Sequence, residues 1–133
     1  MTVRDIVATH PRPTDVDRDL LVRCVEECID CAAVCTGCSD GCLGEPDAGE
    51  LVRCIRLCLD CADVCSATAR VVLRLTEAEH AVLRLVVEAC AAACRASGDE
   101  CARHAGHHEH CRVCEQSCRR CEAACDALAA SLG

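Results

Sequence analysis

Phenylalanine, tyrosine and tryptophan are absent from this chain of 133 residues. No large side chain is available to fill the middle of a fold, so Leu, Val, Ala and Cys must supply the interior. Lysine is absent as well, and the basic residues are arginines spread along the sequence, giving a net charge of -8. Nucleic acid and anionic membrane surfaces are poor partners for such a chain, because both require a clustered basic surface. No apolar run approaches membrane-spanning length. The N-terminal stretch MTVRDIVATHPRPTD also lacks the basic segment followed by an apolar one that marks an export signal, so a cytoplasmic protein is expected. Ser, His and Asp occur without any nucleophile setting, and no enzyme is expected. The length suits one domain with a single core.

What the chain has in abundance is cysteine, eighteen in all. They fall at Cys24, Cys28, Cys31, Cys35, Cys38 and Cys42, at Cys54, Cys58, Cys61 and Cys65, at Cys90, Cys94 and Cys101, and at Cys111, Cys114, Cys118, Cys121 and Cys125. The steps alternate between four and three, which is the inward stripe of a helix packed in a bundle. A disulfide scaffold needs an oxidising compartment and loop-rich spacing. Side chains three or four apart on a helix also have Cβ atoms about 5 to 6 Å apart, wider than the roughly 3.5 to 4.5 Å of a disulfide.

Punctuation between the clusters predicts an N-terminal extension over residues 1–13 and an all-α domain over 14–133. Its helices should cover approximately 15–43, 47–74, 77–104 and 108–130. Pro11 and Pro13 precede Thr14 and Asp15, which can cap the first helix. Asp47 with Glu50, and Thr76 with Glu79, have capping-box spacing for the second and third. Gly106 marks a tight turn near Ala105–His107 between the third and fourth. The run Cys24-Val-Glu-Glu-Cys28-Ile-Asp-Cys31-Ala-Ala-Val-Cys35 is repeated as Cys54-Ile-Arg-Leu-Cys58-Leu-Asp-Cys61-Ala-Asp-Val-Cys65. Short connections then predict an antiparallel up-down-up-down four-helix bundle with a Cys-lined core.

In that bundle Cys28, Cys61, Cys90 and Cys121 are expected near one level, and Cys31, Cys58, Cys94 and Cys118 near the next. Leu20, Leu21, Val71, Val72, Leu75, Val82, Leu83, Val86 and Leu128 should form an apolar plug at one end. Cys38, Cys42, Cys101, Cys111, His104 and His108 should gather at the other as an entrance. The third helix is apolar on more than one face, through Val82, Leu83, Leu85, Val86, Val87, Ala89 and Ala91–Ala93, and the extra face calls for a partner, so a homo-oligomer is expected.

A small-hydrophobe role explains one buried cysteine but not eighteen on one period. Soft thiolates select copper(I), zinc or iron-sulfur clusters. Four thiolates around each zinc would leave two uncompensated negative charges per buried site, stacked turn upon turn, which is costly. Copper(I) carries one charge and takes two or three sulfurs, so bridging thiolates reach near neutrality at about one copper per cysteine. Iron-sulfur clusters need four cysteines around a bulkier unit, usually wrapped by a loop. A zinc or cadmium buffer of the metallothionein kind is the alternative. A dithiol redox protein is a weaker one, since it requires accessible low-pKa thiols. Among the histidines, His104 and His108 are in phase with the cysteines, and His110 lies one turn before Cys114; all three are candidate metal ligands. His10 and His80 read as structural or exposed, and Asp30, Asp60 and Asp63 as solvated carboxylates.

These stripes, with the turn His104-Ala-Gly-His107-His108-Glu-His110-Cys111, resemble the bacterial cytosolic copper storage proteins over about Asp15 to Leu128. The resemblance implies storage of many copper(I) ions inside the bundle, a homotetramer, and histidines at the open end that bind or admit metal. A copper chaperone is a candidate partner for release. One departure stands out: Ser97 occupies a place where the four-three pattern calls for cysteine.

Overall fold

The computed structural model describes residues 2–132, and among these it contains only helices and their connections. A short α1 (Val3–Ala8) is followed by four long helices, α2 (Arg18–Leu43), α3 (Val52–Leu73), α4 (His80–His104) and α5 (Glu109–Ser131), with one 3-10 turn at Ala48–Glu50. Each long helix carries one cysteine cluster, because a thiol every three or four residues gives each a single face to bury.

The helix starts differ from those read off the capping patterns. Asp17 caps α2, its carboxylate accepting from the Leu20 amide at 3.0 Å. Thr14 instead accepts from the Val16 amide at 3.1 Å, inside the preceding turn. Asp47 and Glu50 make no capping box: Asp47 heads the 3-10 turn without a side-chain cap, and α3 begins only at Val52. The carboxylate of Asp47 is engaged elsewhere, by His108 at 3.0 Å. At α4 the cap is Glu79, which accepts from the Ala81 amide, while Thr76 lies against His10.

α2 packs on α3 and α5, and α4 packs on the same two, so the four long helices surround a central column. The column has two parts. Toward the start of α2 it is aliphatic: Leu21, Val22, Val25, Val72, Leu83, Val87 and Leu128 are buried, each contributing about 1.5 to 3 kcal/mol by leaving water. Residues 2–13 are more than an extension there, since Val3 and Val7 of α1 are buried in the same cluster together with Val16. Of the residues assigned to this plug, Leu20, Val71, Leu75 and Val86 are half-buried, and Val82 faces outward at 54 % exposure. The rest of the column is mainly sulfur, with the Ser97 hydroxyl buried among the thiols. No described helix is long and apolar enough to cross a membrane.

Candidate metal centre

All eighteen cysteines are free thiols and all are buried. Because inward positions recur every three or four residues on each of four surrounding helices, their sulfurs meet along the axis of the column. Cys24 lies 3.7 Å from Cys125, and Cys28 lies 3.7 Å from both Cys90 and Cys121. Cys65 reaches Cys90 and Cys94 at 3.7 Å, Cys35 reaches Cys114 at 3.6 Å and Cys118 at 3.7 Å, and Cys58 reaches Cys101 at 3.6 Å. Near the α4–α5 turn Cys111 is 4.0 Å from Cys38 and from Cys42. Pairs one turn apart on a single helix also touch, Cys31 with Cys35 and Cys61 with Cys65, each at 3.8 Å.

Sulfurs that share a metal at about 2.3 Å are at most about 4.6 Å apart, so these contacts need little movement to accept ions. Several quartets converge within 4.8 Å, among them Cys28, Cys90, Cys121 and Cys125; Cys31, Cys65, Cys94 and Cys121; Cys31, Cys35, Cys61 and Cys118; Cys38, Cys54, Cys58 and Cys101; and Cys38, Cys42, Cys54 and Cys111. Residues common to two quartets, such as Cys31, Cys38, Cys54 and Cys121, place one sulfur within reach of two metals.

The expected levels need correcting on α3. Cys28 shares its level with Cys90 and Cys121 as predicted, but the α3 sulfur touching Cys90 and Cys121 is Cys65 rather than Cys61. Cys58 sits not beside Cys31 and Cys94 but against Cys101 and Cys114. The cause is the connection between α2 and α3. Its 3-10 turn delays the helix to Val52 and moves every α3 cysteine along the column.

Protonation differs along the stack. Burial pushes Cys42 up and lifts Cys111 to about 12. Cys24 is drawn down to about 5 chiefly by hydrogen bonding from Cys125, and Cys101 to about 5 chiefly by hydrogen bonding from Cys114. Cys28, Cys35, Cys54 and Cys94 move up, because hydrogen bonding to neighbouring thiols is strongest in their protonated form. Cys31, Cys58 and Cys90 move down by hydrogen bonding from their neighbours, so thiols that hold their protons alternate along the column with thiols that give them up.

The three candidate histidines are placed differently from one another. His110, with Nδ1 at 3.5 Å from Cys38 Sγ and 3.6 Å from Cys111 Sγ, meets the thiols. Its ring lies over Gly41, where a Cβ would come within 3.2 Å of it. His104 turns to Glu100, 2.9 Å from Nε2, and Glu100 is nearly buried beneath Arg53 and Arg103. His108 is held between Glu45 and Asp47, and hydrogen bonding to Asp47 raises its pKa and lowers that of Asp47. Neither His104 nor His108 hydrogen-bonds a thiol among the described residues. Both rings are mostly buried, and carboxylates rather than thiols are their partners. Glu45, Glu100 and Gly41 were missed from sequence; of these only Glu100, four residues before His104, left a readable signal.

A ring of helices around a continuous column of buried thiols, closed by aliphatic residues at one end and met by a histidine at the other, defines a protein built to hold soft metal ions in its core. The chain belongs to the copper storage protein family, whose model matches residues 17–130. It is similar to the copper storage protein Ccsp of Streptomyces lividans loaded with ten copper equivalents, at 54% identity and TM-score 0.96 over 98% of this chain and 99% of that one. A second structure, described as copper loading with five coppers to a cytosolic copper storage protein of the same organism, shares 56% identity at TM-score 0.86, covering 86% and 96% of the two chains. The cysteine-rich protein YhjQ of Bacillus subtilis is 35% identical over 107 residues, covering 80% of this chain and 94% of its own length.

Proposed function

We propose that the protein stores copper(I) in the cytoplasm as ions bridged by the thiolates of its eighteen cysteines, at about one ion per cysteine. The observation that carries this is the column of sulfur contacts at 3.6 to 4.0 Å, with single sulfurs shared between neighbouring quartets. Sharing is what a monovalent ion needs, since bridging thiolates keep a buried lattice near neutral, whereas isolated zinc tetrahedra do not. The copper-loaded relatives support the same reading.

The helices alternate in direction, up-down-up-down. The sulfur pairs support this order: along α2, Cys24, Cys35 and Cys42 meet Cys125, Cys114 and Cys111 in descending sequence. The ligand set is the eighteen cysteines with His110 at the mouth. His104 and His108 stand outside it, on Glu100 and on Glu45 with Asp47, and join only when those carboxylates release them. The protein is not an enzyme, and it assembles as a homotetramer. The outward Val82 and Leu85 of α4, 54 % and 66 % exposed, support a self-associating face. A copper chaperone is the partner proposed for exchange.

Anaerobic titration of fully reduced protein with copper(I), and separately with zinc, against a competing chelator tests the proposal. Near one copper retained per cysteine is expected. The quartets also suit a tetrahedral ion, which favours a zinc buffer as the second reading. Tight zinc at a quarter of the thiol count, with only a few coppers retained, would establish that reading instead.

A further inference from the structure

The sequence repeat between α2 and α3 reappears in space as a pair of sulfur triangles. Cys31 lies 3.8 Å from Cys35, and the two meet Cys118 of α5 at 3.9 Å and 3.7 Å. The repeat places Cys61 and Cys65 at the equivalent positions of α3. They lie 3.8 Å apart and meet Cys94 of α4 at 3.8 Å and 3.7 Å. Each triangle thus joins two thiols one turn apart on one helix to one thiol of the helix facing it, and all six are fully buried. Cys61 also comes within 4.8 Å of all three sulfurs of the first triangle, so the two stand side by side between the plug and the mouth.

Charge decides what such a triangle holds when it is filled alone. Three thiolates around one copper(I) leave two uncompensated negative charges, and around one zinc they leave one, so either ion depends on neighbouring metals that share the sulfurs. A trivalent ion leaves none. Arsenic(III) is trivalent and soft, and it takes three sulfurs as a shallow pyramid whose open side is occupied by a lone pair. It needs no fourth protein ligand. The sulfurs of each triangle are already in mutual contact, and closing by a few tenths of an ångström makes them the base of that pyramid.

We propose that the triangle of Cys31, Cys35 and Cys118 and the triangle of Cys61, Cys65 and Cys94 each bind one atom of trivalent arsenic, a second cargo that the copper-free protein takes up. Arsenous acid is small and uncharged at neutral pH, so it passes the mouth without a charge having to leave water. At each triangle three As–O bonds and three S–H bonds break, three As–S bonds form, and three water molecules leave. No electron is transferred and no co-reactant is consumed. The product is neutral by itself, which a site buried among thiols favours over any filling that leaves net charge.

Fully reduced, copper-free protein titrated anaerobically with arsenite against a small competing dithiol tests this. Copper(I) capacity is counted on parallel samples, so a failure of copper storage is read separately from a failure of the arsenic sites. Two arsenic atoms per chain are expected, one for each triangle, with three sulfur neighbours and no oxygen by arsenic K-edge absorption. Cys31→Ser combined with Cys35→Ser should leave one arsenic, Cys61→Ser combined with Cys65→Ser should also leave one, and the fourfold variant none. Pairs are replaced because a single missing sulfur has a neighbour to stand in for it. Circular dichroism checks that each variant is helical, and the count and coordination in the unaltered protein stand whether or not a variant folds. Arsenic that exceeds two atoms per chain, keeps oxygen ligands, is stripped by the dithiol, or persists at two atoms in either paired variant would overturn the triangles as its sites.

Discussion

Ser97 puts a hydroxyl inside the sulfur column, fully buried, 3.5 Å from Cys58 Sγ and 3.5 Å from Cys118 Sγ. A neutral oxygen is a poor ligand for copper(I), so the lattice is thinned at this level. Ser97→Cys is expected to raise the copper retained against a chelator by about one ion per chain, and Ser97→Ala to leave the count unchanged. The gap at Ser97 was legible because the four-three period predicts what each inward position should be. The histidines were less legible. Phase predicted an inward direction for His104 and His108, but a carboxylate partner outcompetes a thiol for an imidazole N–H. Glu100 is on the same helix as His104, whereas Asp47 approaches His108 from 61 residues away. Long-range partners of this kind come from the fold and leave no local pattern. Gly41 belongs with them: the space it leaves is filled by His110, so Gly41→Ala should push the imidazole from the mouth sulfurs by a few tenths of an ångström. The displacement is read from the histidine ring resonances, with the copper count falling by at most about one ion.

At the scale of elements, existence was easier to read than register. Four cysteine clusters separated by Gly, Pro and polar residues demand four amphipathic helices, because every inward thiol must find a buried face. Register depends on connection length. The sequence pattern Asp47–Glu50 imitates a capping box, yet the structure uses those residues for a 3-10 turn and for the ion pair to His108. Starting α3 at Val52 instead of Asp47 shifts the α3 sulfurs by more than a turn, which is why Cys65 rather than Cys61 meets Cys90. The plug is the part of the column whose packing does not depend on metal. Leu21 is fully buried there. Leu21→Ala is expected to destabilise the copper-free protein by about 2 to 5 kcal/mol, the range for deleting a buried Leu side chain. Denaturant unfolding of the copper-free form measures this, and the copper capacity of the variant should match the parent.

Across the whole molecule, protons and copper compete for the same sulfurs, and the two compete with opposite dependence on pH. Burial lifts Cys111 from 9.0 to about 12 in the folded protein, and lifts Cys42 as well. Above about pH 9 the unfolded chain has released protons that folded Cys111 still holds. The stabilisation this thiol gives the copper-free fold is therefore complete below about pH 9 and is lost as pH rises toward 12. Copper-free protein should unfold at lower denaturant at pH 10 than at pH 8. Loading runs the other way, because each copper(I) entering a protonated site must displace a proton. Its apparent affinity should strengthen by about tenfold per pH unit for every proton released. Hydrogen bonding from neighbouring thiols draws down Cys24 and Cys101, and likewise Cys31, Cys58 and Cys90, so these sulfurs give up their protons most readily. Ions held there release fewer protons than those filling the rest. A chelator competition repeated at pH 6.5 and 7.5, with proton release followed in weak buffer, separates the two classes. A shallow dependence for the first ions and a steep one for the later ions is the expected result. A flat response throughout would mean that the column is ionised before copper arrives, a state that a buried stack of eighteen thiols cannot hold without the metal to neutralise it.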